Sequence, residues 1–239
     1  MKKENILREY LMDTVWKHET LEGAVKELLV KQLNAQGNDG MQLDSLMACC
    51  TYKEEFGEIV TKDLKATVER DPACSTLLDA FLNYKGFWAL TAHRISHHLW
   101  TEGREYAAFM IRNRVVDRWA IDIHPAAKIG SGVFIDHGTG LVIGETAIVE
   151  DSVSLFHEVT LGGTGKKKGD RHPKVRFGAM IGAGAKVLGN IEIGKHSRIG
   201  AGSIVIHSVP ENTTVVGIPA RIVLTNETLI KEEKKRTIT

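Results

Sequence analysis

Histidine 137 is the first residue in this chain placed to do acid–base chemistry. An imidazole has its ordinary pKa near working pH, so a neutral ring there can take the proton of a hydroxyl group. His137 stands two places after Ile135, an aliphatic residue that the repeat described below turns inward, so its own side chain faces outward. Asp122 lies fifteen residues earlier, close to one coil of eighteen. That spacing can set its carboxylate beside His137 on the preceding coil, where it would orient the ring and stabilise the protonated form. Arg171 and His172 sit in a stretch that breaks the repeat and must therefore project from it. An arginine there offers a two-pronged donor for a carboxylate. Gly162-Gly163 lets backbone N–H groups approach a ligand closely. Asp71, ahead of Pro72, reads as a helix cap, and Asp136 as a turn residue.

Other reactive residues carry less. His93 and His97 share a helix face at i and i+4, but the metalloprotease pattern needs Glu after the first His, and position 94 is Arg. These two and His98 read as residues of a packed or partly exposed helix face. Gly165-Lys166 lacks the glycine spacing and the following Lys-Ser/Thr of a phosphate loop, and Lys166 to Lys168 read as a solvated loop. His157 shares the register of His137, but no third ligand for a zinc site follows from the sequence, and no metal is expected. Cys49, Cys50 and Cys74 have no metal-ligand spacing and no evident base, so they read as reduced thiols rather than a nucleophile or a disulfide frame.

The elements that must position these residues come from a six-residue repeat. Aliphatic residues recur at Ile123, Ile129 and Ile135, then after a two-residue slip at Ile143, Val149, Leu155 and Leu161. After an eight-residue insertion they continue at Val175, Ile181, Val187, Ile193, Ile199 and Val205, and the pattern returns at Val215, four residues beyond its expected place. One inward aliphatic per six residues suits short strands joined by tight turns, three to a coil, with parallel pairing between coils. Of 23 glycines, 17 lie between Gly130 and Gly217, while all 4 Trp and all 4 Tyr precede residue 121. Small residues fit the corners of a narrow prism and bulky rings do not.

Residues 1–120 form a helical segment instead. Leu7, Leu11 and Val15, then Leu21, Val25, Leu28 and Leu29, have helical spacing, with a turn near His18 and a cap at Thr20. Gly37 to Gly40 signal a loop, and a break falls at Glu102-Gly103. The N-terminal MKKENILREY has no apolar stretch after it, so no secretory leader is expected, and no segment reaches the length of a membrane span. With Lys+Arg 31 against Asp+Glu 30, no basic face for nucleic acid is expected. The repeat half carries 15 basic and 12 acidic residues, which suits an anionic ligand.

The hexads resemble the prism of hexapeptide-repeat acyltransferases. Asp122 to Gly130, Asp136-His137-Gly138-Thr139-Gly140, Gly144 to Ala147, Val159 to Gly165 and Gly169 to Lys174 resemble the serine O-acetyltransferase family more narrowly. Asp71-Pro72-Ala73 and Tyr84-Lys85-Gly86-Phe87 extend the likeness into the helical half. The resemblance implies an α + β chain: a helical domain (1–120), a left-handed parallel β-helix (121–223) and a short C-terminal tail (224–239). The left hand comes from the family, against the usual right-handed crossover.

The resemblance further implies acetyl transfer from acetyl-CoA to the hydroxyl of L-serine, the first step of cysteine biosynthesis, in a cytoplasmic enzyme that works by direct attack in a ternary complex. It assigns His137 and Asp122 as a catalytic dyad, and Asp71, Asp136, Arg171 and His172 to the amino-acid substrate. It puts Gly163 near the thioester and Ala183 and Arg198 along the coenzyme groove. Cysteine is implied as a feedback inhibitor. Homotrimers are implied through the prism, with pairing of trimers through the helices left open by a helical part that starts nearer its first matching helix than is usual. The family's tail ends in isoleucine and docks into a sulfhydrylase; here the end is Thr237-Ile238-Thr239, so that complex is not expected. The residues leave open another hydroxyl acceptor, such as homoserine or a sugar, and a non-catalytic or zinc-binding prism. A free amino acid suits Asp71 with Arg171-His172 better than a sugar does.

Overall fold

The computed structural model describes residues 5–34, 43–51, 54–166 and 168–225. The expected loop at Gly37–Gly40, Lys167 and the terminal Thr237-Ile238-Thr239 lie outside these residues. Among the described residues seven α-helices come first: α1 Asn5–Leu11, α2 Leu21–Leu33, α3 Leu43–Thr51, α4 Glu54–Arg70, α5 Leu77–Asn83, α6 Lys85–Thr101 and α7 Glu105–Trp119. Thr20 caps α2 by accepting from Gly23 N at 3.2 Å. Gly103, at φ +75°, makes the break between α6 and α7. Asp71-Pro72 does not open a helix. The Asp71 carboxylate turns back on Ala73 N at 2.8 Å, and α5 is capped by the Thr76 hydroxyl, which accepts from Asp79 N at 3.1 Å. Helix α6 is buried along most of its length because it lies between its helical neighbours and the first coil. Trp88 packs edge-on against Phe81 and Phe87 there.

From Asp122 the chain winds into a left-handed parallel β-helix. Face A stacks β1 Asp122–Ile123, β4 Val142–Ile143, β7 Thr160–Gly162, β10 Lys186–Leu188 and β13 Ile204–Val205. Face B stacks β2 Lys128–Ile129, β5 Ile148–Val149, β8 Lys174–Val175 and β11 Glu192–Ile193. Face C stacks β3 Phe134–Ile135, β6 Ser154–Leu155, β9 Met180–Ile181, β12 Arg198–Ile199 and β14 Thr213–Gly217, with β15 Ala220–Thr225 antiparallel at its end. One aliphatic per strand points inward, and Ile143, Leu155, Leu161, Ile181 and Val187 are at most 1% exposed. These stacked side chains are the prism's core, at the close packing usual for protein interiors.

Paired positions on face A are separated by twenty, eighteen, twenty-six and eighteen residues. The two extra residues therefore sit in the C-to-A corner at 136–141, where buried Leu141 takes the inner place and Thr139 stays outside. The eight extra sit in the A-to-B corner between β7 and β8. The last coil corrects the sequence reading: Val209 pairs with Ile193, so the repeat returns early at Val209 and then six residues later at Val215.

Buried polar groups join the two halves. Arg94 donates to Asp63 Oδ2 at 2.6 and 2.9 Å and to the carbonyls of Ile129 and Gly130, while Asp63 Oδ1 accepts from Val133 N at 3.1 Å. Arg70 reaches the Val153 carbonyl at 3.2 Å.

Candidate active site

The candidate residues fall on two edges of one face. His137 and Asp136 lie in the enlarged C-to-A corner, and Asp122 opens the face-A strand beside it. Asp122 and His137 thus begin and end the same coil, rather than lying on successive ones. The corner is built for a tight reversal: His137 has φ +54°, Gly138 has φ +70°, and a Cβ on Gly138 would stand 2.6 Å from Ile121 Cδ1. The His137 side chain is 73% exposed, and its Nε2 is 3.9 Å from Asp136 Oδ1. Asp122 is engaged elsewhere. Arg112 of α7 grips both carboxylate oxygens, with Nε to Oδ1 at 2.7 Å. Among the described residues no hydrogen bond joins Asp122 to His137.

Asp71 reaches this edge through the helices. Its Oδ2 accepts from the Tyr84 hydroxyl at 2.7 Å. Burial, then the bond to Asp71, holds that hydroxyl well above the usual tyrosine range. Gly86, two residues on, lies so close to β3 that a Cβ would stand 2.9 Å from Ile135 Cβ and closer still to its carbonyl oxygen. Lys85 bonds the Thr139 hydroxyl. The start of α6 therefore fixes Asp71 and Tyr84 against the corner that carries Asp136 and His137. Ala183 and Arg198 belong to the same side: Ala183 lies two coils below His137 in the corner column, and Arg198 projects from face C on β12.

Arg171, His172 and Gly163 occupy the opposite, A-to-B edge. Thr146 organises them, a role nothing in the sequence announced. Its hydroxyl accepts from the backbone N–H of Arg171 at 3.0 Å and of His172 at 3.1 Å, and meets His172 Nδ1 at 2.9 Å. Thr146 N also donates to His172 Nδ1 at 3.2 Å, which leaves the ring proton on Nε2. Burial first, then the Arg171 charge, lowers the His172 pKa and keeps the ring neutral. Gly144 makes room for that ring, since a Cβ would lie 2.8 Å from His172 Cγ and closer to its far atoms. Arg171 donates to Glu145 Oε2 at 2.6 Å, and this bond holds the Glu145 carboxyl below its ordinary range. A Cβ on Gly163 would come 3.3 Å from Arg171 Cγ, so glycine leaves the backbone there open.

His93 and His97 of α6 lie against the first coil. His93 is 4% exposed, and burial pushes its pKa well below the ordinary value; His97 Nδ1 bonds the Pro125 carbonyl at 2.7 Å. Among the described residues no three His, Cys, Asp or Glu side chains converge on a metal site, and no helix is long and apolar enough to cross a membrane. Cys74 is buried; the side chains of Cys49 and Cys50 lie outside the described residues.

Comparison with known proteins bears directly on this arrangement. Residues 1–92 match the family described as serine acetyltransferase, N-terminal, and residues 172–207 match the bacterial transferase hexapeptide (six repeats). The chloroplastic serine acetyltransferase 1 of Arabidopsis thaliana is 46% identical over 98% of this chain and 75% of its own length. A crystal structure of serine acetyltransferase in complex with coenzyme A from Brucella abortus strain S19 superposes with TM-score 0.89 at 45% identity, over 93% of this chain and 89% of that one. A serine acetyltransferase complex with cysteine gives TM-score 0.90 at 43% identity, over 95% and 89%. With the helical cap, the hexad prism and this degree of identity along nearly its whole length, the chain belongs to the serine acetyltransferase family.

Proposed function

We propose that the chain transfers the acetyl group of acetyl-CoA to the hydroxyl of L-serine, giving O-acetyl-L-serine and CoA, and so opens cysteine biosynthesis. One observation carries the reading beyond family membership. The two places where the hexad count is lengthened are the two edges of face A, and they hold the acid–base and carboxylate-binding candidates separately.

In this reading His137 takes the serine proton as the oxygen attacks the thioester carbonyl, a contribution of roughly 10²–10⁴-fold. Its ring is largely exposed, and on substrate binding it meets Asp122, which stabilises the imidazolium. Catalytic hydrogen bonds commonly tighten only in the loaded complex. The Gly163 N–H faces the developing oxyanion, the carbonyl collapses with loss of thiolate, and the proton on His137 passes to sulfur. Asp71 and Asp136 hold the serine ammonium, and Arg171 with neutral His172 its carboxylate. Coenzyme lies along Ala183 and Arg198.

Opposite edges of one prism cannot enclose one amino acid. We therefore place the site between copies, the C-to-A edge of one against the A-to-B edge of the next, as a cyclic trimer permits. Cysteine shares serine's ammonium and carboxylate and would occupy the same place. Buried, unpaired Cys74 suits the reducing cytoplasm. Thiol release from acetyl-CoA across serine, homoserine and threonine, with and without cysteine, tests the proposal. Serine turnover suppressed by cysteine is expected; turnover of homoserine alone, or none, would overturn it.

A further inference from the structure

The C-to-A edge forms a column of stacked corners. Ile135, Leu155, Ile181, Ile199 and Val215 are in register on face C, and His157, Ala183, Ala201 and Gly217, two places after the last four, also stack. In the enlarged first corner the two-residue slip aligns Thr139 with His157 and leaves His137 beside the column. Backbone bonds between corners hold the stack, with Glu158 N to Thr139 O at 2.8 Å, Gly184 N to His157 O at 2.9 Å and Gly202 N to Ala183 O at 2.8 Å. Side chains along the column therefore shrink from the His157 imidazole to two methyls and then a hydrogen. An extended ligand arm laid along the small residues reaches His157 before it reaches His137.

His157 is also incompletely satisfied. Its ring meets that of His137 edge-on, centroids 5.7 Å apart, and its Nδ1 is buried without a hydrogen-bond partner. A buried polar atom without a partner asks for an explanation. With no acceptor at Nδ1, nothing stabilises a proton there, and the neutral ring carries its proton on Nε2, the nitrogen that is not sealed in. His157 thus offers an N–H donor at the coenzyme side of the proposed base.

We propose that His157 is a second catalytic residue, donating a hydrogen bond from Nε2 to the thioester sulfur as the carbon–sulfur bond breaks. The inference rests on the acetyl-transfer reading above. The serine O–H bond breaks and its proton goes to His137; the oxygen–carbon bond forms. The carbon–sulfur bond then breaks, its electron pair stays on sulfur, and the His157 N–H stabilises that charge. The proton on His137 finally passes to sulfur, giving the CoA thiol, and His157 keeps its own proton throughout. No other reactant is needed.

The test uses the sulfur itself. Inhibition constants against acetyl-CoA are measured for CoA and for desulfo-CoA, in which hydrogen replaces the thiol, near the thiol's pKa. The wild type, His157→Phe, His157→Gln and His137→Ala are compared. Phe keeps a ring in the packed corner but loses the donor; Gln keeps an N–H. A hydrogen bond to a charged acceptor predicts a preference of about tenfold or more for CoA in the wild type. That preference should fall to near unity in His157→Phe, persist in large part in His157→Gln, and survive in His137→Ala. His157→Phe should also lose about tenfold or more in kcat/KM for acetyl-CoA. An unchanged CoA preference in His157→Phe, or equal loss in Phe and Gln variants, overturns the inference. Normal turnover by His137→Ala would instead overturn the assignment of His137 as the base, and thiol release by no form of the protein would overturn the acetyl-transfer reading, each leaving the sulfur comparison to stand by itself.

Discussion

Two inactive variants of this protein should restore one another. His137 and Arg171 stand on opposite edges of face A, and each is held by its own set of contacts: the Gly138 reversal on one side, Thr146 and Glu145 on the other. If each site takes its C-to-A edge from one copy and its A-to-B edge from the next, a copy lacking His137 still donates a sound A-to-B edge. A copy lacking both Arg171 and His172 still donates a sound C-to-A edge. Mixed at equal amounts and randomly reassembled, a site is intact when both adjoining edges are sound, which happens with a chance of about one half for each edge. Activity should therefore recover to about a quarter of the wild-type value in a cyclic assembly. The assay is thiol release from acetyl-CoA at low serine, using His137→Ala and the Arg171→Ala/His172→Ala double variant, unfolded together and refolded or produced together. Mass measurement of the mixed oligomers confirms exchange. Recovery below a few per cent in demonstrably mixed oligomers would refute a site shared between copies, because a site within one copy carries a lesion in every combination.

Three further outcomes follow from particular contacts. Thr146→Val removes the acceptor for the Arg171 and His172 backbone N–H groups, so KM for serine should rise about tenfold or more while KM for acetyl-CoA stays nearly constant in steady-state kinetics. Asp63→Ala leaves Arg94, only 9% exposed, without its buried carboxylate, and chemical denaturation should show a loss of about 3–5 kcal/mol. His93 remains neutral in the fold, with its pKa far below the ordinary 6.5, whereas the unfolded chain protonates it. The unfolded state then binds more protons, so stability is full above about pH 6.5 and falls by about 1.4 kcal/mol per unit below it, until the folded pKa is reached. His93→Phe should reduce that slope in unfolding curves between pH 5 and 6.5; an unchanged slope would show that His93 is not its source.

Local periodicity made the prism legible. Hexads from Ile123 to Val205 fix which side chain of each strand turns inward, and the two interruptions mark the enlarged corners. Val209 escaped because it comes four residues after Val205, and a period of six looks past it. Asp71-Pro72 has the composition of a helix start, yet its carboxylate serves Ala73 N and the Tyr84 hydroxyl, and the latter partner is thirteen residues away. The partners of the candidate residues were illegible for a related reason. Arg112 on Asp122, Thr146 on Arg171 and the space at Gly144 for His172 all arise when distant segments are brought together by coiling. Spacing near eighteen residues suggested successive coils for Asp122 and His137, whereas the two open and close one coil, and it gave no sign of the Arg112 pairing because the helix that supplies the arginine lies outside the repeat.

The central claim is that His137 is the base for acetyl transfer to serine. Its most direct test is the rate of thiol release from acetyl-CoA with saturating serine, for the wild type and His137→Ala at equal oligomer size. The expected result is a fall in kcat of about 10²-fold or more with thermal stability unchanged, since the side chain is 73% exposed and supports no core. Turnover by His137→Ala within a few-fold of the wild type would contradict the account.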